Sequence, residues 1–434
     1  MVIDRDTILA MSEYALSASK GTPFSRIPKD LVGEDKGKPH ILILVEQKHF
    51  PPSHKAASSR IHSLARYWSN LAYVTVVTDK SGNSDEGYSR IAFPLTGPRM
   101  DFLKLPSRFP KLLHLVRGLK VDVIFASFPP TWQILEGYLL SRRLGCPLVV
   151  DIRDLPAAMF PLKEGSFVRR IFNLSMRFVS YHLFCKASRI ATVTDWLRKE
   201  LIKTLSYRRK PIFLIPNGSD VRLFEKALRV KKEFDLVYSG TLIPVRNPVL
   251  MLKFLHCLRD IYPRLKVLFL SDILETALGS QFILGLRQFD LSKNVEFERM
   301  TSLRQIPDYL GKARLGIDSL FPEVYNHKGV ASAKDYEYLA AGLPVVGLLD
   351  PGFYVETKRL ILDNGAGILD PDPESLARKT VDLLKDPARL RKMSKRAREV
   401  GMRFDRKKLA EEYYYKVILP CWKEFNERQS ISDF

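Results

Sequence analysis

Lys334 and Glu337 stand three residues apart in the stretch Ser332-Ala333-Lys334-Asp335-Tyr336-Glu337-Tyr338-Leu339-Ala340-Ala341-Gly342-Leu343-Pro344-Val345-Val346. That spacing puts a cation and a carboxylate on one face of a helix. Ser332 reads as the N-cap, with Asp335 completing a capping box. Gly342 closes the helix at C′ and Pro344 prevents its resumption. Lys334 therefore falls in the first turn, where the macrodipole disfavours a cation by roughly 0.3–1 kcal/mol. A solvated surface tolerates such a cation, but the arrangement is also that of an anion site at a helix N-terminus. Arg246 repeats it, because Asn247 reads as an N-cap and Pro248 as the first helical residue. Two helix starts thus each carry a cation.

Other groups carry weaker signals. Asp154 follows the strand-like Pro147 to Ile152 and is either a site carboxylate or a loop cap paired with Arg153. Asp370-Pro371-Asp372 has the form of a D-x-D metal motif, yet Asp372-Pro373-Glu374 reads better as an N-cap opening a helix. His49, His54 and His62 crowd one loop and helix without a zinc spacing. No carboxylate pair suggests glycoside hydrolysis. Neither G-x-S-x-G nor a phosphate-binding G-K-[ST] loop occurs, which argues against hydrolase and ATPase chemistry.

The elements that must hold these residues alternate. His40–Val45, Tyr73–Thr78, Val121–Ser127, Pro147–Ile152, Ile190–Thr194 and Ile212–Pro216 read as strands, with helices predicted over 56–70 and 131–144. The pattern restarts at Phe234–Ser239 and continues through 266–270, 295–297, 315–318 and 344–348, with a helix over 248–261. Such alternation means βαβ units and parallel sheets. The fold class is therefore α/β, with two doubly wound Rossmann-like domains facing across a cleft. The expected organisation is an extension over 1–39, a first domain over 40–218, a linker over 219–232 and a second domain over 233–405. A C-terminal helix over 406–434 would cross back to the first domain. Ligands of such folds sit beyond the carboxyl ends of the strands.

The chain has 434 residues, 46% of them hydrophobic and 27% charged, with a net charge of +21. That length calls for two cores rather than one. Cys146, Cys185, Cys257 and Cys421 have no paired spacing, which fits a reducing cytosol. Asp4, Arg5, Asp6 and Glu13 interrupt the N-terminus, so no signal peptide is expected, and no run has transmembrane length. The excess of cations suits nucleic acid, anionic lipid or phosphorylated substrates. No helix-turn-helix, zinc-finger or ribonucleoprotein signature supports nucleic acid.

Four ordered segments resemble the group 1 glycosyltransferases, retaining enzymes of the two-domain GT-B fold that use nucleotide sugars. They are Phe50-Pro51-Pro52 through Arg60, Asp151-Ile152-Arg153-Asp154-Leu155, Ile215-Pro216-Asn217-Gly218-Ser219-Asp220 with Phe224, and Lys334-x-x-Glu337-Tyr338-Leu339-Ala340-Ala341-Gly342-x-Pro344-Val345-Val346. The resemblance implies a donor site made by Gly240, Thr241, Arg246, Lys334 and Glu337. Arg246 and Lys334 would hold the donor diphosphate and stabilise its growing charge, with no catalytic metal required. Glu337 would receive the ribose hydroxyls. Ser53, Arg60, Arg153 and Asp154 would face the acceptor, and Asp154, Arg246 and Lys334 would be the catalytic set. The partners expected are a nucleotide sugar and a glycan or lipid-linked acceptor, in the cytoplasm or peripherally at the inner face of the membrane.

The sequence departs from that pattern in places. Gly329 stands where the family has its first Glu, eight residues before Glu337, and Glu323 is out of register. Ser271-Asp272-Ile273-Leu274-Glu275 replaces a G-x-G loop, Thr241 stands where Arg is frequent, and Ser127-Phe128-Pro129-Pro130 replaces a His-bearing strand end. A non-catalytic sugar-nucleotide-binding or partner subunit is the alternative these changes favour. A nucleotide-sugar epimerase is a further one, for which no acid–base residues are found. The stretches 103–120 and 167–186 are basic and apolar together. Phe167, Ile171, Leu174, Phe178 and Leu183 recur at helical spacing among Arg169, Arg170, Arg177 and Lys186. That pattern fits either an interfacial helix on an anionic membrane surface or a core helix with a solvated basic edge.

Overall fold

A computed structural model describes residues 37–45, 56–78, 82–83, 87–93, 101–162, 166–205, 210–271, 277–299, 302–321 and 328–432. The 50–55 loop with Ser53 and His54 lies outside them, as do His49, 272–276 and Glu323.

The first sheet contains β1 (His40–Leu44), β2 (Tyr73–Thr78), β3 (Gly82–Asn83), β4 (Ser89–Ala92), β5 (Val123–Phe128), β6 (Leu148–Ile152), β7 (Arg189–Thr192) and β8 (Ile212–Leu214). Its order is β3-β4-β2-β1-β5-β6-β7-β8, parallel except for the β3–β4 pair. The second sheet contains β9 (Phe234–Ser239), β10 (Val267–Leu270), β11 (Val295–Glu298), β12 (Ala313–Ser319), β13 (Val345–Leu348) and β14 (Gly367–Asp370). Its order is β11-β10-β9-β12-β13-β14, parallel throughout. Strands such as Ile41-Leu42-Ile43-Leu44 are wholly buried, because helices cover both faces of a parallel sheet. The chain reverses its direction of travel at β1/β5 in one sheet and β9/β12 in the other. Ligand crevices open at these switch points.

Three strands went unread in the sequence: the two-residue β3, β4 and β14. In β4 only Ile91 of Ser89-Arg90-Ile91-Ala92 is buried, so the apolar signal is one residue wide. β14 opens on Gly367, where an added Cβ would lie 2.1 Å from the Val345 carbonyl oxygen. Close backbone approach there selects the residue that sequence patterns read as a turn.

The C-terminal helices return to the first sheet. Trp68, at the end of the Ala56–Trp68 helix, packs edge-on against Phe125 and Tyr413, and its Nε1 donates to the Ala410 carbonyl at 2.8 Å. The crossing is pinned by backbone bonds from Ser219 N to Phe404 O (3.1 Å) and from Arg406 N to Ser219 O (3.0 Å).

Candidate functional site

The β9/β12 switch point gathers the residues expected to hold the donor. Gly240 follows β9 with φ +117 and lies against Lys334, so that a Cβ there would sit 3.6 Å from Nζ. Asp318, near the end of β12, is fully buried. Arg246 Nη1 donates to Asp318 Oδ1 at 2.6 Å, and to Ser319 O and Ser332 Oγ at 3.1 Å each. Ser332 Oγ in turn donates to Asp318 Oδ2 at 2.8 Å. The Ser332 half of the capping box expected of Ser332 and Asp335 is therefore not formed. Ser332 occupies the N-cap position, but its side chain makes no cap hydrogen bond because its hydroxyl serves the Arg246–Asp318 pair. Asn247, by contrast, caps its helix as expected, with Oδ1 accepting from Leu250 N at 3.0 Å.

Lys334 is the most unusual group in this crevice. Its side chain is 8% exposed and its ammonium lies 4.0 Å from Asp318 Oδ1. Nζ sits 3.7 Å from the centroid of the Tyr238 ring, a cation–π position, and has no hydrogen-bond partner. Burial, reinforced by the Arg246 guanidinium, pulls its pKa down to about 7. Asp335 is fully buried, with the Ser332 backbone amide beside its carboxyl. Burial and the nearby Asp318 carboxylate hold it well above the usual carboxylate range. Glu337 lies one helical turn beyond Lys334. Burial raises its carboxyl, and Arg406 and Lys334 oppose that rise. Thr241 is exposed, and its carbonyl accepts from Tyr238 Oη at 3.0 Å. An anion arriving beside Gly240 would meet an ammonium with open donor positions at a helix start.

The residues expected on the acceptor side fall into a different pattern. Asp151 is a fully buried hub. Arg60 reaches it with Nε at 3.1 Å and Nη2 at 2.8 Å, and donates to Pro216 O at 2.9 Å and Ile215 O at 3.0 Å. These bonds turn the Arg60 guanidinium into the first domain's interior. Arg153 reaches Ser127 Oγ at 3.0 Å and Pro129 O at 2.8 Å, bracing the strand end that carries the cis Phe128–Pro129 and Pro129–Pro130 bonds. Asp154 is half-buried just beyond β6.

Sequence reasoning missed two residues here. Arg406 opens the crossing helix after the Asp405 cap and donates to Ser59 Oγ of the first domain, while its charge acts on Glu337 of the second. The Asp405-Arg406 pair, a cap followed by a cation, was the available signal. Trp196, from the first domain's Asp195–Leu205 helix, covers Gly329, where an added Cβ would lie 2.3 Å from Cε3. No local pattern marks that contact, because it forms between domains. Asp372 caps its helix by accepting from Ser375 N at 2.7 Å. Among the described residues no group of three or more His, Cys, Asp or Glu is placed to hold a metal ion.

Two Rossmann-like parallel-sheet domains facing across a cleft, joined by a helix that crosses back, define a GT-B protein. Residues 57–223, most of the first domain, match the Glycosyltransferase Family 4 profile. No curated protein matches by sequence. The fold is similar to sucrose-phosphate synthase from Thermosynechococcus elongatus, at TM-score 0.69 and 16% identity over 88% of this chain and 99% of that one. It is similar to Anabaena HepE solved with UDP-glucose, at TM-score 0.66 and 15% identity over 87% and 99%. A glycosyltransferase from Rickettsia africae matches at TM-score 0.63 and 13% identity over 89% and 98%. The family match supports glycosyl transfer as the general activity.

Proposed function

We propose that this protein is a retaining glycosyltransferase that moves a hexose or amino sugar from a nucleoside diphosphate sugar to a hydroxyl of a glycan or lipid-linked acceptor. The observation that carries the reading is the buried Lys334 ammonium, without a hydrogen-bond partner, facing Gly240 beside Arg246. Lys334 would bind the diphosphate directly. Arg246, already engaged with Asp318, would add its charge and fix the helix start. As the glycosidic bond breaks, negative charge grows on the leaving diphosphate, and preorganised cations stabilise that charge without a metal. Glu337, steadied by Arg406, would receive the ribose hydroxyls, and Thr241 would border the same pocket. Asp154 and Arg153 would line the acceptor side with Ser53, while Arg60 supports that side through Asp151. A uridine nucleotide is the first donor to test, since HepE is described in complex with UDP and with UDP-glucose. The setting would be cytoplasmic, at the inner face of the membrane.

The test is product formation with UDP-, GDP- and ADP-sugars and a panel of glycan and lipid acceptors. Turnover of at least one donor with retention at the anomeric carbon is expected. Binding of a nucleotide sugar without turnover of any would favour the second reading, a non-catalytic sugar-nucleotide-binding subunit. Gly329 supports that reading, since it puts the Trp196 ring where the resemblance places a sugar-reading carboxylate.

A further inference from the structure

The Phe167–Lys186 helix turns its apolar residues outward. Phe167 is 76% exposed, Val168 74%, Ile171 50%, Phe172 53%, Leu174 57% and Phe178 65%. The Asp101–Val116 helix, equally basic and apolar in sequence, instead buries Phe109, Leu112, Leu115 and Val116 in the first-domain core. Phe167, Ile171, Leu174 and Phe178 follow one helical stripe, which Val168 and Phe172 widen. The opposite face is fully engaged. Met176, Leu183 and Phe184 are buried, and Ser180 Oγ meets Thr131 Oγ1 at 2.8 Å. A contiguous exposed apolar patch of this kind marks an interaction surface.

Charge selects the occupant. Between Phe167 and Lys186 there is no Asp or Glu, while Arg169, Arg170 and Lys186 are exposed, in a chain of net charge +21. Pairing this face with a second copy would bring the same cations against themselves across a two-fold axis. An anionic lipid surface has no such conflict, because rings enter the acyl boundary while guanidinium groups meet headgroup phosphates. We propose that the Phe167–Lys186 helix is the docking surface of this protein on an anionic membrane.

The helix is also tied to the acceptor side. Arg177 donates from Nε to Phe160 O at 2.7 Å and from Nη2 to Ala157 O at 3.0 Å, and Asn173 Nδ2 donates to Pro161 O at 2.6 Å. Those carbonyls belong to the segment that follows Asp154. Docking therefore brings the acceptor-side loops to the lipid surface, which deepens the lipid-linked reading and rests on it for its meaning. Membrane binding itself does not depend on that reading.

Flotation of the full chain with phosphatidylcholine vesicles, and with vesicles carrying about one-third phosphatidylglycerol, tests the proposal. Binding to the anionic vesicles is expected, with little to the neutral ones. Phe172→Ser with Phe178→Ser should reduce that binding roughly tenfold or more. Arg169→Gln with Arg170→Gln should reduce it and flatten its salt dependence. Nucleoside diphosphate affinity should be the same in both variants as in the parent, which separates this test from the donor-site reading. Negligible binding to both vesicle types would overturn the proposal. So would anionic binding unchanged by the Phe172 and Phe178 substitutions, which would assign it to diffuse charge. Self-association in sedimentation that those substitutions abolish, without vesicle binding, would assign the face to a second copy.

Discussion

Lys334 would make the proposed donor site a proton-linked one. Its pKa lies at about 7, against 10.5 for an ordinary lysine, because it is buried beside Arg246. A bound diphosphate would favour the charged form, so the pKa rises on binding and a proton is taken up near neutrality. Nucleoside diphosphate affinity is therefore expected to fall as pH rises from about 7. Calorimetry in buffers of different ionisation enthalpy should register the proton, and Lys334→Met should weaken affinity roughly tenfold or more and abolish both effects. Unchanged affinity in that variant would place the donor elsewhere. The same depressed pKa sets a stability trend. Between about 7 and 10.5 the unfolded chain holds a proton that the folded one lacks, so the ligand-free protein gains stability with pH across that window. Arg246→Ala is a poor probe of binding, since it strands the fully buried Asp318 carboxylate. It should cost about 3–5 kcal/mol of stability, read as a lower denaturation midpoint. The motif around Lys334 was legible in the sequence because helix starts and stops have local signatures. Its Asp318 counter-charge was not, because it comes from another strand, and neither was the diversion of the Ser332 hydroxyl away from the cap.

The strands and helices were largely legible, since buried parallel strands such as Phe234–Ser239 are unbroken apolar runs. What local pattern cannot carry is where one element touches another. Gly218 shows this. The sequence marks it only as part of an Asn217-Gly218 turn, yet a Cβ there would lie 2.3 Å from Phe404 O and 2.7 Å from Leu409 Cδ1. The Phe404 carbonyl cannot easily retreat, because Ser219 N–H is bonded to it at 3.1 Å. Gly218 is thus the point where the interdomain segment and the entry to the crossing helix meet backbone to backbone. Gly218→Ala should destabilise the fold by about 1–3 kcal/mol through overpacking and speed proteolysis of the 406–432 helices. A denaturation midpoint equal to the parent's would mean that the crossing adjusts without strain. The exposure of the Phe167–Lys186 helix belongs to the same category. Its spacing predicts an amphipathic helix, but which face the neighbouring elements leave open is a property of the packing.

At the scale of the whole molecule, the domains meet where Trp196 covers Gly329. The contact is braced by Trp196 N–H donating to Glu356 Oε1 at 2.6 Å and by Arg359 paired with Asp195 at 3.4 Å. The Asp195–Leu205 helix belongs to the first domain and the Val355–Ile361 helix to the second, so these bonds span the domains and would break if the domains moved apart. Gly329 permits that contact because it has no side chain, and we expect the contact to belong to a closed arrangement of the cleft. Gly329→Ala would set a Cβ 2.3 Å from Trp196 Cε3, and relieving that overlap costs about 1–3 kcal/mol. Borne by the closing equilibrium, this amounts to roughly a 5- to 150-fold shift toward the open arrangement. Small-angle scattering should then report a larger radius of gyration, and turnover should fall if catalysis needs both domains on the substrate. Trp196→Ala removes the obstructing ring, so Gly329→Ala placed in that background should cost little. The double-mutant cycle therefore carries a coupling term of the sign that relieves strain. Additive effects of the two substitutions would show that Trp196 and Gly329 do not gate closure together.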